Sequence, residues 1–572
     1  IAVLVSFPVF KMLKAQKSVD IPMFKNTTEI PQQVALPVNG QLPAWLNGTL
    51  FRIGPGKFNI KRKDGSYMHI RHAFDGLPYL HRFVFSAANN QIQYNSRNLS
   101  QEVERKLADD EDYPLFFGHS DRATSVFIKL YRTYKRLRSA SVENKTRHPS
   151  DAMVGVTATP NFPLGKDHLA DVRKVGDQVL VAKTDANLLQ LIDVDSLVPK
   201  KIFDYTTIIP EIQGQLSAAH HQTCPYTKEL FNIVLSFGRS TTIKVFSINQ
   251  EGKGTLYGDI VKRLHDNVPV KPSYIHSFAL TQNYIVIPEY PLYFAGGGLP
   301  ILLEGTIEAA FAWDSTAKTY FHVVSRESKK HVATIEADPA FTFHTGNCWE
   351  DAEGIHFECG AFPDGDIAHQ LHTFGKPVRK TQFPAQNNHI GDEKQKKSKG
   401  LTVNPPRQSS FGDLRRYTIP YHAIQRGSGQ AAYKDIAPNV EFPRFNAKMT
   451  GKPSRYVWAC KLHPATVDTN ETVSVVKVDT STGKTVQYYR PGYYCSEPIF
   501  VPKPGAENED DGIVVSLAND FHESDESLDR CYVVILDGET LEELGRAEIG
   551  DITPVTFHGS FVDKDFQDVS VN

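Results

Sequence analysis

The chain has 572 residues, with 40 % hydrophobic and 11 % aromatic content and a formal charge of −2. This is the composition of a soluble globular protein, and the near balance of charge excludes strong electrostatic steering towards nucleic acid by the whole molecule. By length the chain is three or four ordinary domains or one large all-β domain. Six scattered cysteines (Cys224, Cys348, Cys359, Cys460, Cys495, Cys531) form no CxxC pair and no dense framework, which favours a reduced, intracellular protein. Five Asn-x-Ser/Thr sequons, such as that at Asn26, weigh slightly the other way.

The chain opens at Ile1 with IAVLVSFPVFKMLKAQK, whose apolar run is too short to span a bilayer. It reads as the remnant of a targeting or anchor segment, or as a terminal segment packed on the domain; residues 1–35 are set apart and 36–572 taken as a single domain. No run of eighteen apolar residues occurs anywhere, so no membrane span is expected.

Strand-like runs then recur in chain order: QVLVAKTD (178–185), LFNIVLSF (230–237), TTIKVFSI (241–248), YIVIPEY (284–290) and RYVWACKL (455–462). TVSVVKVDTSTGKTVQYYRP reads as a hairpin around a Ser-Thr-Gly turn, and CYVVILDGETLEELGRAEIG as another around Asp537-Gly538. Helical periodicity is sparse. Many short strands without a βαβ rhythm predict a closed all-β fold, and seven propeller blades of roughly eighty residues would use the chain.

Three segments interrupt this pattern. Residues 121–147 are basic with interleaved apolar side chains and read as an amphipathic helix plus tail. Residues 291–313 are apolar with a Gly triplet, and 380–410 are polar and lysine-rich. A basic amphipathic helix together with an exposed apolar segment predicts docking on a membrane surface.

Among 21 histidines, His119, His148, His369 and His389 sit in polar company and read as surface residues. Four others lie in apolar or small-residue settings: His220 in LSAAHHQT, His276 in PSYIHSFAL, His344 in FTFHTGN and His558 in PVTFHGSF. Taken singly, each also fits a hydrogen-bonded core residue. Their separations fall near whole numbers of blades, and residues at equivalent blade positions converge on a propeller's axis. Four neutral imidazoles there would hold a divalent transition metal; the residues alone do not choose between iron, zinc and nickel. Asp185, Glu441 and Glu497 stand in strand-like apolar settings, where they fit either strand-end ion pairs or partners for the second N–H of ligand histidines. Phe343 and Phe557 directly precede their histidines and, on alternating strands, are expected to point away from the metal.

At these residues the sequence resembles the carotenoid cleavage oxygenase family. The resemblance is carried, in family order, by FRIGPGKF (51–58), HAFDGLPYLHRF (72–83), KPSYIHSFALTQNYIVIPEYP (271–291), HTGNCWED (344–351), EFPRFN (441–446), SEPIFVPKPGAENEDDGIVVS (496–516) and PVTFHGSF (554–561). The middle and final blocks look most like the animal branch, with its β-carotene oxygenases and retinoid isomerohydrolase. The resemblance implies an all-β, seven-bladed β-propeller with a helical and loop dome over its top face. It implies Fe(II) held by His220, His276, His344 and His558, with His221 as the adjacent competitor to His220. Behind them it implies Asp185 for His276, Glu441 for His344 and Glu497 for His558. The family has Glu where this chain has Asp185, which puts the geometry at His276 in question. The family's Pro-Asp-Pro-Cys-Lys string is absent from the corresponding stretch, HSDRATSVFIKLY (119–131).

The function implied is oxidative cleavage of a conjugated C=C bond of a carotenoid or apocarotenoid by O₂, giving aldehyde or ketone products. No side-chain nucleophile is needed. The alternative within the family is a retinoid isomerohydrolase acting on retinyl esters, and the metal shell does not separate the two. The expected partners are a lipophilic polyene, O₂ and a peripheral (monotopic) membrane surface. The expected location is intracellular, cytoplasmic or peripheral to a membrane.

Overall fold

The computed structural model describes residues 24–110, 114–119, 147–165, 178–236, 240–371, 410–466, 469, 471–522, 525–551 and 556–570. The opening segment, the basic stretch 121–146 and the lysine-rich stretch 380–409 lie outside the described residues.

Every strand expected from the sequence forms, as Leu180–Lys183, Leu230–Ser236, Thr242–Ile248, Tyr284–Glu289 and Tyr456–His463, and both hairpins form as Thr472–Asp479 with Thr485–Tyr488 and Arg530–Asp537 with Glu543–Gly550. Strands such as Leu230–Ser236 and Gly354–Phe362 are buried along nearly their whole length, both faces being covered. At the periphery, Ala432–Ala437 and Gly254–Ile260 are largely exposed and carry Lys434, Asp435 and Asp259, charges that discourage pairing with a further strand.

These strands make an all-β propeller, but the expectation of seven blades is not met. Among the described residues the arrangement is five-bladed: five separate sheets have four or five strands each, and a further set of strands joins into one ten-stranded sheet. The cause is a parallel pairing of Val473 with Tyr494, which links the strands around Thr472–Asp479 to those around Gly512–Asp520 by backbone hydrogen bonds. Dividing the chain length by a blade length cannot anticipate such a fusion.

Apolar clusters fill the spaces between successive sheets. Phe51 and Ile53 pack with Leu180 and Ala182, Ile233 with Ile285, Val323 with Ile355, and Leu50 with Val515 and Val533. The last described strand, His558–Asp563, pairs with Asn47–Lys57 near the start, opposing Ile53 to His558. This pairing closes the ring and sets His558 at the inner end of its sheet.

Of residues 24–35, Phe24 and Thr27 are buried, whereas 31–35 are exposed. Phe24 stacks on Phe58 with centroids 4.5 Å apart, and the Thr27 N–H donates to the Gly56 carbonyl. Over one end of the ring, the helices Gln101–Ala108, Leu299–Glu304 and Asp366–Gln370 and their loops join an aromatic cluster with Tyr274, Phe311, Phe341 and Phe343. No helix among the described residues is long and apolar enough to cross a membrane. All six cysteines are buried.

Candidate metal centre

The four singled-out histidines come from four sheets and meet at one point. His220 sits in the bend between Leu216–Ser217 and Gln222–Thr223, His276 just before Ala279–Leu280, His344 on Phe341–Glu350, and His558 at the head of His558–Asp563. All four are buried, and one nitrogen of each lies within 4.8 Å of the others'. The Nε2 atom of His558 is 3.1 Å from that of His220 and 3.2 Å from that of His344. The His220 N–H donates to the His276 carbonyl, tying two of the bends together. His221 turns elsewhere, with its Nδ1 against the Lys183 ammonium.

Three carboxylates stand behind the ring. Asp185 Oδ1 lies 2.7 Å from His276 Nδ1, Glu441 Oε2 lies 2.6 Å from His344 Nδ1, and Glu497 Oε1 lies 2.9 Å from His558 Nδ1. Asp185 therefore reaches His276 without an intervening group despite its shorter side chain, and the Tyr274 hydroxyl donates to its other oxygen at 3.0 Å.

Charge fixes the rear of the site as well. Glu497 accepts from Arg444 Nε at 2.7 Å, from an Arg52 terminal nitrogen at 3.3 Å and from the Gly559 N–H at 3.0 Å. Burial alone would raise its carboxyl, but Arg444, His558 and Arg52 together hold it below the ordinary range. Arg52 is itself completely buried, and burial brings its guanidinium down to about 10. Gly559 makes room for it, since a Cβ there would lie 2.6 Å from Arg52 Cδ.

With each Nδ1 hydrogen given to a carboxylate, the Nε2 atoms of His276, His344 and His558 carry lone pairs turned inward. Burial, followed by the neighbouring histidines, keeps His220 well below its usual value; burial brings His558 down to about 3. Neutral acceptors facing each other at about 3 Å repel unless a cation lies between them, so the donor set fits a divalent metal.

The ring opens onto an apolar cavity lined by Phe74, Val156, Phe362, Leu371 and Phe411 beside His276, His344 and His558. Phe343 and Phe557 line it too, which corrects the expectation that they turn away. The pairing register of Phe341–Glu350 slips between Thr342 and Thr345, which breaks strict alternation, and Phe557 precedes its strand. Phe442 adopts φ 58°, at the register slip between Glu441 and Arg444, and its ring stacks on His344 with centroids 4.7 Å apart. That left-handed backbone costs on the order of 1–3 kcal/mol for a bulky residue. A second cavity is lined by His220, Thr345, Phe442, Arg444 and Glu497.

Sequence reasoning missed Arg52, Arg444, Tyr274 and Phe442. The two arginines sit inside the apolar strings FRIG and EFPRF, and an arginine in such a string calls for a carboxylate. It also placed His119 at the surface, whereas His119 is buried and its Nδ1 accepts from the Arg71 N–H at 3.2 Å.

Against known proteins, the family model described as Retinal pigment epithelial membrane protein matches residues 23–563. The chain belongs to this family of carotenoid oxygenases. It is 28 % identical to a carotenoid dioxygenase of Neurospora crassa, over 94 % of this chain and 90 % of that protein. It is also 28 % identical to a torulene dioxygenase of Fusarium fujikuroi, over 92 % and 90 % respectively. Among solved structures, a variant of Synechocystis apocarotenoid oxygenase superposes with a TM-score of 0.68 at 19 % identity, covering 95 % of this chain and 98 % of that one.

Proposed function

We propose that this chain is a non-haem Fe(II) dioxygenase that cleaves a conjugated C=C bond of a carotenoid or apocarotenoid with O₂, yielding aldehyde or ketone products. The observation that carries the reading is the convergence of four buried imidazole nitrogens at the end of an aromatic cavity. His220, His276, His344 and His558 would hold the ion, which when bound supplies a site to bind and activate O₂ beside the alkene.

The protein's own groups do the rest. Asp185, Glu441 and Glu497 accept the Nδ1 hydrogens and hold each Nε2 lone pair inward. Phe74, Phe343, Phe442 and Phe557 keep water from the polyene and set which double bond lies over the ring. Their faces also favour positive charge developing along the chain of double bonds. Among the described residues Glu441 is the one carboxylate lining the cavity, and its Oε2 is engaged with His344 Nδ1. The relatives' names favour cleavage over ester isomerohydrolysis.

The entry side of this reading is a bilayer surface. Leu299 and Leu303 on the short helix Leu299–Glu304 are 55 % and 52 % exposed, and Leu115 is 44 % exposed. Phe116 is bridged to Thr306, so these residues belong to neighbouring segments above the aromatic cluster. A carotenoid dissolved in lipid would leave the membrane there.

The test is product analysis with iron-loaded protein and β-carotene in micelles, under air and without oxygen. Carbonyl products that appear only with O₂, and whose lengths locate the cut bond, support the proposal. With bound iron verified, conversion of a retinyl ester without carbonyl products from carotenoids or apocarotenoids would overturn it.

A further inference from the structure

A second group of metal-type donors lies at the far end of the strand that carries His344. Phe341–Glu350 turns at Asp351–Glu353 into Gly354–Phe362, and one donor atom each of Asp351, Glu353 and His356 lies within 4.8 Å of the others. The two carboxylates are exposed, whereas His356 is 5 % exposed.

The imidazole is held firmly. Its Nδ1 is 3.0 Å from the Thr418 hydroxyl on the next strand, and its ring lies against Trp349, opposite it in the hairpin, with centroids 5.4 Å apart and planes 19° apart. Asp351 is fixed too: its Oδ1 accepts from the Glu353 N–H at 2.8 Å and from the Gly354 N–H at 3.4 Å.

His356 Nε2 is buried and faces Asp351 Oδ1 at 2.9 Å. Two ligand atoms at about 2.1 Å from one metal ion and at right angles to each other stand about 3 Å apart, which is the separation found.

We infer that Asp351, Glu353 and His356 form a second divalent-metal site, separate from the four-histidine ring, that pins the hairpin bearing His344. One imidazole with two carboxylates suits zinc, or cobalt and nickel of similar preference; calcium and magnesium favour all-oxygen sites. Exposure of both carboxylates leaves the remaining positions to water. The inference does not depend on the reaction proposed for the ring.

The experiment compares full-length protein with the D351N and H356Q variants. Each is loaded with iron, dialysed against micromolar free zinc, and measured for total metal per chain by mass spectrometry. Asn at 351 keeps an oxygen for the turn and removes only the charge, so it reads the site even if H356Q folds poorly. The wild type is expected to carry one more metal per chain than D351N, and titration should show zinc affinity at least tenfold weaker in the variant. Equal metal content and affinity in the wild type and folded D351N would overturn the inference.

Discussion

Glu497 holds His558 through a 2.9 Å contact between Oε1 and Nδ1, and the same carboxylate is clamped by Arg444 and Arg52. Orientation of one imidazole is thus tied to a buried group of three charges that reaches from the first sheet, through Arg52, to the ten-stranded one.

Glu497→Gln removes the charge that two buried guanidinium groups face. Breaking a buried pair from one side costs about 3–5 kcal/mol, and losing the partner of a ligand histidine lowers metal affinity about 10–100-fold. Thermal unfolding should show a lowered midpoint, and purified protein should carry less iron. An unchanged midpoint with full iron content would contradict the clamp.

Gly360 is the point where the strand Gly354–Phe362 passes behind Glu441. A Cβ there would lie 2.7 Å from Glu441 Oε1. Gly360→Ala should push the carboxylate off His344 and destabilise the protein by about 1–3 kcal/mol, the usual range for overpacking. Denaturant titration measures the loss of stability, and the metal content should fall with it.

Acid sensitivity should come in part from histidines outside the ring. Burial, reinforced by Arg52, brings His81 from 6.5 down to about 3, and burial with His322 does the same for His331. Both folded-state values lie below the unfolded value, so the unfolded chain binds the extra proton first. Stability is therefore complete above pH 6.5 and declines as pH falls towards the folded value. The decline is about 1.4 kcal/mol per pH unit for fully buried His81. His81→Gln should flatten the dependence of unfolding free energy on pH in that window; an unchanged slope would show that His81 is not held neutral.

Exposed leucines give the test of membrane docking. Burial of a leucine side chain contributes about 1.5–3 kcal/mol, so replacing both Leu299 and Leu303 by Ser should weaken binding to phosphatidylcholine vesicles at least about tenfold. Flotation assays measure this, with metal content as the control for folding. Equal flotation of the variant and the parent would remove this face as the docking surface.

The sequence by itself determined the strands, the four histidines and the three acids. Apolar runs of β-prone residues mark strands locally, and a polar group inside such a run stands out because it needs a partner. Seven ordered motif blocks then pointed to the family. The tertiary structure decided what local pattern does not encode. The Val473–Tyr494 pairing joined strands into one ten-stranded sheet, which a blade count from chain length did not anticipate. Register slips at Thr342–Thr345 and Glu441–Arg444 turned Phe343 and Phe442 towards the cavity, against simple alternation. The Arg52–Glu497–Arg444 clamp joins residues as far as 445 positions apart. Such contacts arise when sheets close into a ring, because closure brings distant side chains together under the demand that every buried charge be matched.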